Sequence, residues 1–279
     1  TLICAYGSSA YASAGLNGGL IGVNSGNLRA AAELVIAQSL DRCAVARVEA
    51  TGYAIGADVL AVLVDQSAAM DLVVIGTRSA GSLMQRSLGR VSTALPAHAR
   101  CPTVVVPYKT LGSGATDRGT ETGAGPLDPV RRIVVGVDGS EESFLALREA
   151  VNQAQLWGAE LTVLSAISGG STVDLLSWLP APGPDQDVIA DVQRALGPIV
   201  AEYAADLTTP VYTCAEAGSA AGVLEKASTM ADLLVVGSRG RGRFTGLILG
   251  STSQAILHNA HCPVLIVTAR SAGSGKSGQ

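Results

Sequence analysis

One segment of this chain occurs twice, 161 residues apart and without a gap. DLVVIGTRSAGSLMQRSLGRVSTALPAHARCPTVVVP runs from Asp71 to Pro107, and DLLVVGSRGRGRFTGLILGSTSQAILHNAHCPVLIVT from Asp232 to Thr268. Asp71 aligns with Asp232, Gly76 with Gly237, Arg78 with Arg239, Gly89 with Gly250 and Cys101 with Cys262 by one subtraction, 262 − 101 = 161. A repeat this long is a duplicated domain rather than a solenoid unit of about 20–50 residues. The second copy carries the pattern Gly237-x2-Gly240-x9-Gly250-Ser251 between an apolar strand and a helix, where backbone amides can hold phosphate. The first copy has Ser79 and Arg90 at the matching positions. The halves are therefore expected to share a fold but not a function.

The 279 residues suffice for two ordinary domains, each with its own core. Residues are 48% hydrophobic but only 4% aromatic, so the cores must be built from Val, Ile, Leu and Ala, as in α/β proteins with sheets covered on both faces. A net charge of −4 and a pI near 5.4 argue against nucleic-acid binding, which needs a basic face. No apolar run approaches the ~20 residues of a membrane helix, and no basic-then-apolar signal segment opens the sequence. The five cysteines, Cys4, Cys43, Cys101, Cys214 and Cys262, lack metal-site or CxxC spacing. An odd, scattered set fits free, mostly buried thiols in a reducing compartment. A cytoplasmic protein is expected.

In the second half, Ile133–Val137, Glu160–Ile167, Val211–Ala215, Leu233–Val236 and Val264–Val267 read as strands. Glu141–Trp157, Val188–Ala205, Ala220–Met230 and Ser251–Ala260 read as the helices between them. Ser140 supplies an N-cap, Glu141 and Glu142 favour the helix dipole, and Gly158 closes that helix. This alternation implies a parallel sheet with right-handed crossovers, and the flavodoxin-like strand order 3-2-1-4-5 is the natural choice. Residues 168–185, with Trp178 and three prolines, form a loop or lid.

The first half repeats the order from its second strand, since Thr1–Ala5 lies 161 positions before Thr162–Ala166. The equivalent of Arg131–Leu161, the first strand and first helix, is lacking. That strand is central, and a sheet split there leaves two rows of backbone groups unpaired. A natural chain that continues further toward the N-terminus is expected; the alternative is that Gly7–Asn27 fills the slot, although that stretch reads better as a loop. The expected organisation is a first domain over residues 1–110, a Gly/Thr-rich linker over 111–129, a second domain over 130–270 and a disordered tail over 271–279.

The chemistry concentrates in the second copy. Gly237, Gly240 and Gly242 permit positive φ and close approach of a ligand to backbone. Gly250 and Ser251 open a helix whose first amides and dipole face outward. Two amide clusters folded back on one another make a concave anion site. Ser251 and Thr252 add hydroxyls, and Arg239, Arg241 and Arg243 add charge that either meets phosphate or solvates the loop. The alternative is that the glycines only make a tight turn and Ser251 only caps a helix. Position decides between them: the pattern lies at the carboxyl end of strand four, beside Asp138 at the end of strand one, where open α/β sheets bind ligands. Asp138 can accept the hydroxyls of a ribose, or serve only as the turn residue of Asp138-Gly139-Ser140.

VGVDGS at Val135–Ser140, VVGSRGRG at Val235–Gly242, LGS at Leu249–Ser251 and HCPVLIV at His261–Val267 resemble the universal stress protein family in its tandem, two-domain bacterial form. The resemblance covers nearly the whole chain apart from linker, tail and the lacking first strand, and its G-2x-G-9x-G-[ST] pattern is far more specific than a bare GxGxxG. It implies two flavodoxin-like, adenine nucleotide alpha hydrolase-like domains with ATP as the cofactor, with or without Mg2+. By resemblance, Asp138 with Gly139 and Ser140 contacts ribose, the strand end at Ala166 and Ile167 holds adenine, and Gly237, Gly240, Gly250 and Ser251 hold the phosphates, with Arg239, Gly242 and Thr252 beside them. It also implies that Thr103–Val106 pairs antiparallel with Val264–Val267 across a pseudo-two-fold axis, covering two apolar edges.

The first copy departs from the pattern. Ser79 brings a Cβ where close approach is needed, and Arg90 replaces the Ser/Thr, so the second domain is expected to be the occupied one. His98, His258 and His261 read as solvated helix ends, and Cys101 and Cys262 as small buried fillers. Trp178 folds either over the base or over the domain junction. No nucleophile–base pair accompanies the phosphate loop, and no P-loop lysine is present. The leading expectation is an ATP-binding regulatory protein of the stress response, with slow or no hydrolysis, in which nucleotide orders the Gly237–Thr252 loop. The rivals are an ATP-hydrolysing or adenylate-forming enzyme and a nucleotide-free scaffold. A regulatory protein partner and a second copy of the chain are left open.

Overall fold

The computed structural model describes residues 1–7, 25–77, 89–107, 129–168, 186–240 and 249–272. They fall into two compact units, Thr1–Ala69 and Met70–Gln279. The first unit holds β1 (Leu2–Tyr6), α1 (Ser25–Val45), β2 (Gly52–Gly56) and α2 (Val59–Gln66). Its two strands form a parallel sheet of their own, from Leu2 opposite Gly52 to Tyr6 opposite Gly56. Asp58 caps α2 by accepting from the Ala61 N–H at 3.0 Å.

The second unit runs β3 (Val73–Gly76), α3 (Arg90–His98), β4 (Thr103–Val106), β5 (Arg132–Gly136), α4 (Glu141–Trp157), β6 (Glu160–Ile167) and α5 (Gln186–Tyr203). It continues through β7 (Val211–Ala217), α6 (Ala220–Ala227), β8 (Leu233–Gly237), α7 (Ser251–Asn259), β9 (Val264–Val267) and a last turn α8 (Ala269–Ala272). Its seven strands lie in the order β3-β4-β9-β8-β5-β6-β7. Within the second copy that order, β7-β6-β5-β8-β9, is 3-2-1-4-5. The strands of the first copy are divided: β1 and β2 pair in one unit, while β3 and β4 extend the sheet of the other.

Burial follows from sequence. β8 and β9 are apolar at every position and fully buried, as strands covered on both faces must be. Successive residues alternate between two cores. Leu233 and Val235 join Leu147, Leu161 and Val200 beneath α4 and α5. Leu234 and Val236 join Val223, Ile256 and Leu257 beneath α6 and α7. Helix α4 shows why it docks: Ala146, Leu147, Ala150 and Ala154 form one buried stripe. Ser140 caps it by accepting from Ser143 N–H, and Gly158 ends it with φ 63°.

The pairing of β4 with β9 is antiparallel, while every other pair in this sheet is parallel. Its register sets Thr103 opposite Ile266, Val104 opposite Leu265 and Val105 opposite Val264. Since 104 + 161 = 265, Val104 faces its own duplicate, and the pseudo-two-fold axis passes through that pair. At the strand entries, Cys101 and Cys262 are buried. Burial, reinforced by Asp71 and Asp232, pushes their thiols up to about 11 and about 12, so both remain protonated and unreactive. No helix among the described residues is long and apolar enough to cross a membrane.

Candidate functional site

Strands β5 and β8 lie side by side, with Val135 opposite Val235. Their carboxyl ends therefore deliver the turn after Gly136 and the turn after Gly237 to the same place. Between them opens a cleft of about 330 Å³. Asp138, Gly237, Arg239, Gly240, Gly250 and Ser251 line it, with Thr252 and Ser253 beside them. Apolar groups close the far side: Leu164 and Ala166 from β6, Ala220 and Leu224 from α6, and Leu249.

The glycine-rich turn is folded back by hydrogen bonds that bring together residues distant in sequence. Ser238 N–H donates to the Val267 carbonyl at 2.7 Å, fixing the end of β8 to β9. Gly250 N–H donates to the Ser238 carbonyl at 2.8 Å, which sets the start of α7 beside the start of the turn. The hydroxyl of Ser253, a residue only 3% exposed, donates to the carbonyls of Gly237 at 2.8 Å and Ser238 at 3.2 Å. Gly250 is the N-cap of α7 and offers no side chain to its first amides, and no acidic residue occupies the first turn. The positive end of the helix dipole is left facing the cleft. Among the described residues, the Arg239, Gly240, Ser251 and Thr252 amides have no protein acceptor.

Space selects glycine at two of these positions, against main chain at Gly237 and against a side chain at Gly240. A Cβ on Gly240 would overlap the Asp138 carboxylate, and one on Gly237 would lie 2.9 Å from the Glu142 carbonyl oxygen. Neither has positive φ; among the described glycines that conformation belongs to Gly139, Gly158 and Gly218. The expectation of positive φ at Gly237 and Gly240 is thus corrected to one of close approach, of a carboxylate in one case and of main chain in the other.

Asp138 is held by its own turn. Its Oδ1 accepts from Ser140 N–H at 3.0 Å and from Ser140 Oγ at 2.6 Å, while Oδ2 lies against Gly240. This is an Asx turn, so the turn-forming role is realised, and it points the carboxylate at the cleft. Ser140 is spent on that turn and on capping α4, and neither it nor Gly139 is among the lining residues. Ile167 is also absent from the lining. Strand period two turns its side chain away when Ala166 faces the cleft, and its carbonyl accepts from Gly218 N–H at 3.0 Å. Gly242, Arg241, Arg243, Ser79 and Trp178 lie outside the described residues.

Sequence reasoning passed over Ser253. A serine in the first turn of a helix reads as an ordinary capping residue, and only the fold shows its reach back to β8. His98 and His258 sit at the ends of α3 and α7, where the His258 ring lies 2.8 Å from the Gln254 carbonyl. A larger groove of about 590 Å³ in the first unit, between α1 and β2, carries the exposed Arg29–Glu33 pair and no cluster of amides. It lacks the features that recommend the cleft.

A model of the universal stress protein family matches residues 23–107 and 129–268. Universal stress protein Rv1996 of Mycobacterium tuberculosis is 31% identical over 220 residues, covering 77% of this chain and 64% of its own length. Universal stress protein Rv2005c of the same organism is 32% identical over 206 residues, covering 73% and 64%. The chain thus spans somewhat under two thirds of these relatives. Among solved structures, a universal stress protein from Archaeoglobus fulgidus DSM 4304 superposes with a TM-score of 0.62 at 20% identity, covering 87% of this chain and 80% of that one. This likeness establishes the fold.

Proposed function

This chain belongs to the universal stress protein family, and from that footing we propose that it is an ATP-binding regulatory protein whose nucleotide occupies the cleft of the second copy. The observation that carries the proposal is the bond from Gly250 N–H to the Ser238 carbonyl. It folds the turn so that the Gly240 amide and the first amides of α7 converge on the cleft that Asp138 also lines. Converging amides at a positive helix end suit a phosphate chain. The carboxylate of Asp138, oriented by Ser140, suits the ribose hydroxyls. The apolar wall of Leu164, Ala166 and Leu224 suits a planar base. Arg239 adds positive charge at the rim, and Thr252 a hydroxyl.

In this reading the two copies span residues 1–110 and 130–270, joined by 111–129 and followed by the tail at 271–279, and the chain works in the cytoplasm. Mg2+, when present, would be carried by the phosphates. Binding without rapid turnover makes nucleotide a signal, which shifts an equilibrium between states that a protein partner or a second chain can distinguish. Mass spectrometry of nucleotide released from the purified, denatured protein tests this. ATP is the expected species. ADP or AMP in its place would favour turnover, and a nucleotide-free protein would favour a scaffold.

A further inference from the structure

We infer that Ser253 is a positioning residue for phosphate, acting as a clasp that makes the turn after β8 competent to receive an anion. This rests on the reading of the cleft as a phosphate site. The Ser253 hydroxyl is buried and shares its one proton between two successive carbonyls, chiefly that of Gly237 at 2.8 Å and more weakly that of Ser238 at 3.2 Å. A buried donor has to be satisfied by protein, so these bonds fix two consecutive peptide planes. In a trans peptide the N–H that follows a carbonyl points the opposite way. Drawing the Ser238 carbonyl toward α7 therefore turns the Arg239 N–H away from it. The same hydroxyl offsets the partial negative charge of two carbonyl oxygens that would otherwise repel an approaching anion. Without it, the Gly250–Ser238 bond alone would have to hold the turn against the helix.

The duplication supplies a comparison within one molecule. Ser92 occupies the position equivalent to Ser253, since 92 + 161 = 253, and it is equally buried at 3%. The end of its strand is anchored in the same manner, Thr77 N–H donating to the Val106 carbonyl at 3.0 Å. Yet the Ser92 hydroxyl donates to the Gly89 carbonyl at 3.0 Å, within the start of its own helix. The same residue therefore bridges turn and helix in the copy with the complete glycine pattern, and only caps back in the copy that lacks it.

The test compares affinities for ATP and for adenosine, which lacks phosphate, in the intact chain and in Ser253→Ala and Ser253→Thr. Ser253→Ala is expected to weaken ATP binding by about tenfold, the effect of losing one buried, shared hydrogen bond, with adenosine binding unchanged. Ser253→Thr, which keeps the hydroxyl, is expected to recover most of the loss. Should Ser253→Ala fail to fold, Ser253→Cys, similar in size but a weak donor, carries the same comparison. An unchanged ratio of ATP to adenosine affinity in the alanine or cysteine variant overturns the assignment while leaving the nucleotide reading intact. Failure of the unaltered protein to bind ATP overturns both.

Discussion

A methyl group at position 240 would strike the carboxylate of Asp138, so that position ties the glycine-rich turn after β8 to the turn after β5. Gly240→Ala should therefore displace the Asp138 carboxylate from the position Ser140 gives it, or push the turn outward. The expected outcome is loss of ATP binding in calorimetry with a cooperative urea transition retained at a lower midpoint. Gly237→Ala is a poorer probe, because its Cβ would lie 2.9 Å from main chain at the start of α4 and disturb the core as well. The spacing of these glycines was legible in the sequence, but their reason was not. Positive φ and close approach both select glycine, and only coordinates separate them. Ser140 shows the complementary limit. Its place beside Asp138 suggested ligand contact, whereas its hydroxyl is committed to Asp138 Oδ1 and the α4 cap.

Among the elements, the bounds of α4 and β6 were readable because Ser140 and Gly158 punctuate the helix and a mostly apolar, β-branched run marks the strand. Other ends depended on long-range partners. Strand β7 continues to Ala217, past Ala215, because β6 keeps offering it a parallel partner as far as Ile167. Helix α6 stops at Ala227 rather than Met230, where bonds tighten to the three-residue spacing of Thr229 to Lys226 and Met230 to Ala227. The β4–β9 seam was expected from resemblance, and its register adds one detail. Thr103 is 0% exposed, its hydroxyl has no partner among the described residues, and its duplicate is Val264. An unsatisfied buried hydroxyl costs about 1–3 kcal/mol. Thr103→Val should accordingly stabilise the second unit by about 1 kcal/mol, read as a higher urea midpoint with an unchanged slope.

Across the whole molecule, the duplication announced two related domains. Their spatial division follows a different line, after Ala69, because β3 and β4 are bound into the seven-stranded sheet through β9. No local pattern could show that: Val73–Gly76 and Leu2–Tyr6 are similar apolar runs, and what separates them is the partner each finds. The same comparison predicts unequal halves. The α3 start bears Arg90 and a Ser92 hydroxyl turned inward to Gly89, whereas α7 begins with Ser251 and a bridging Ser253. Whether the second copy alone grips a nucleotide through the turn at Gly240 and Gly250 is decided by titrating ATP into the protein in a calorimeter. A single equivalent of ATP per chain is expected, abolished by Gly240→Ala. Absence of binding, or binding that Gly240→Ala leaves untouched, would contradict it.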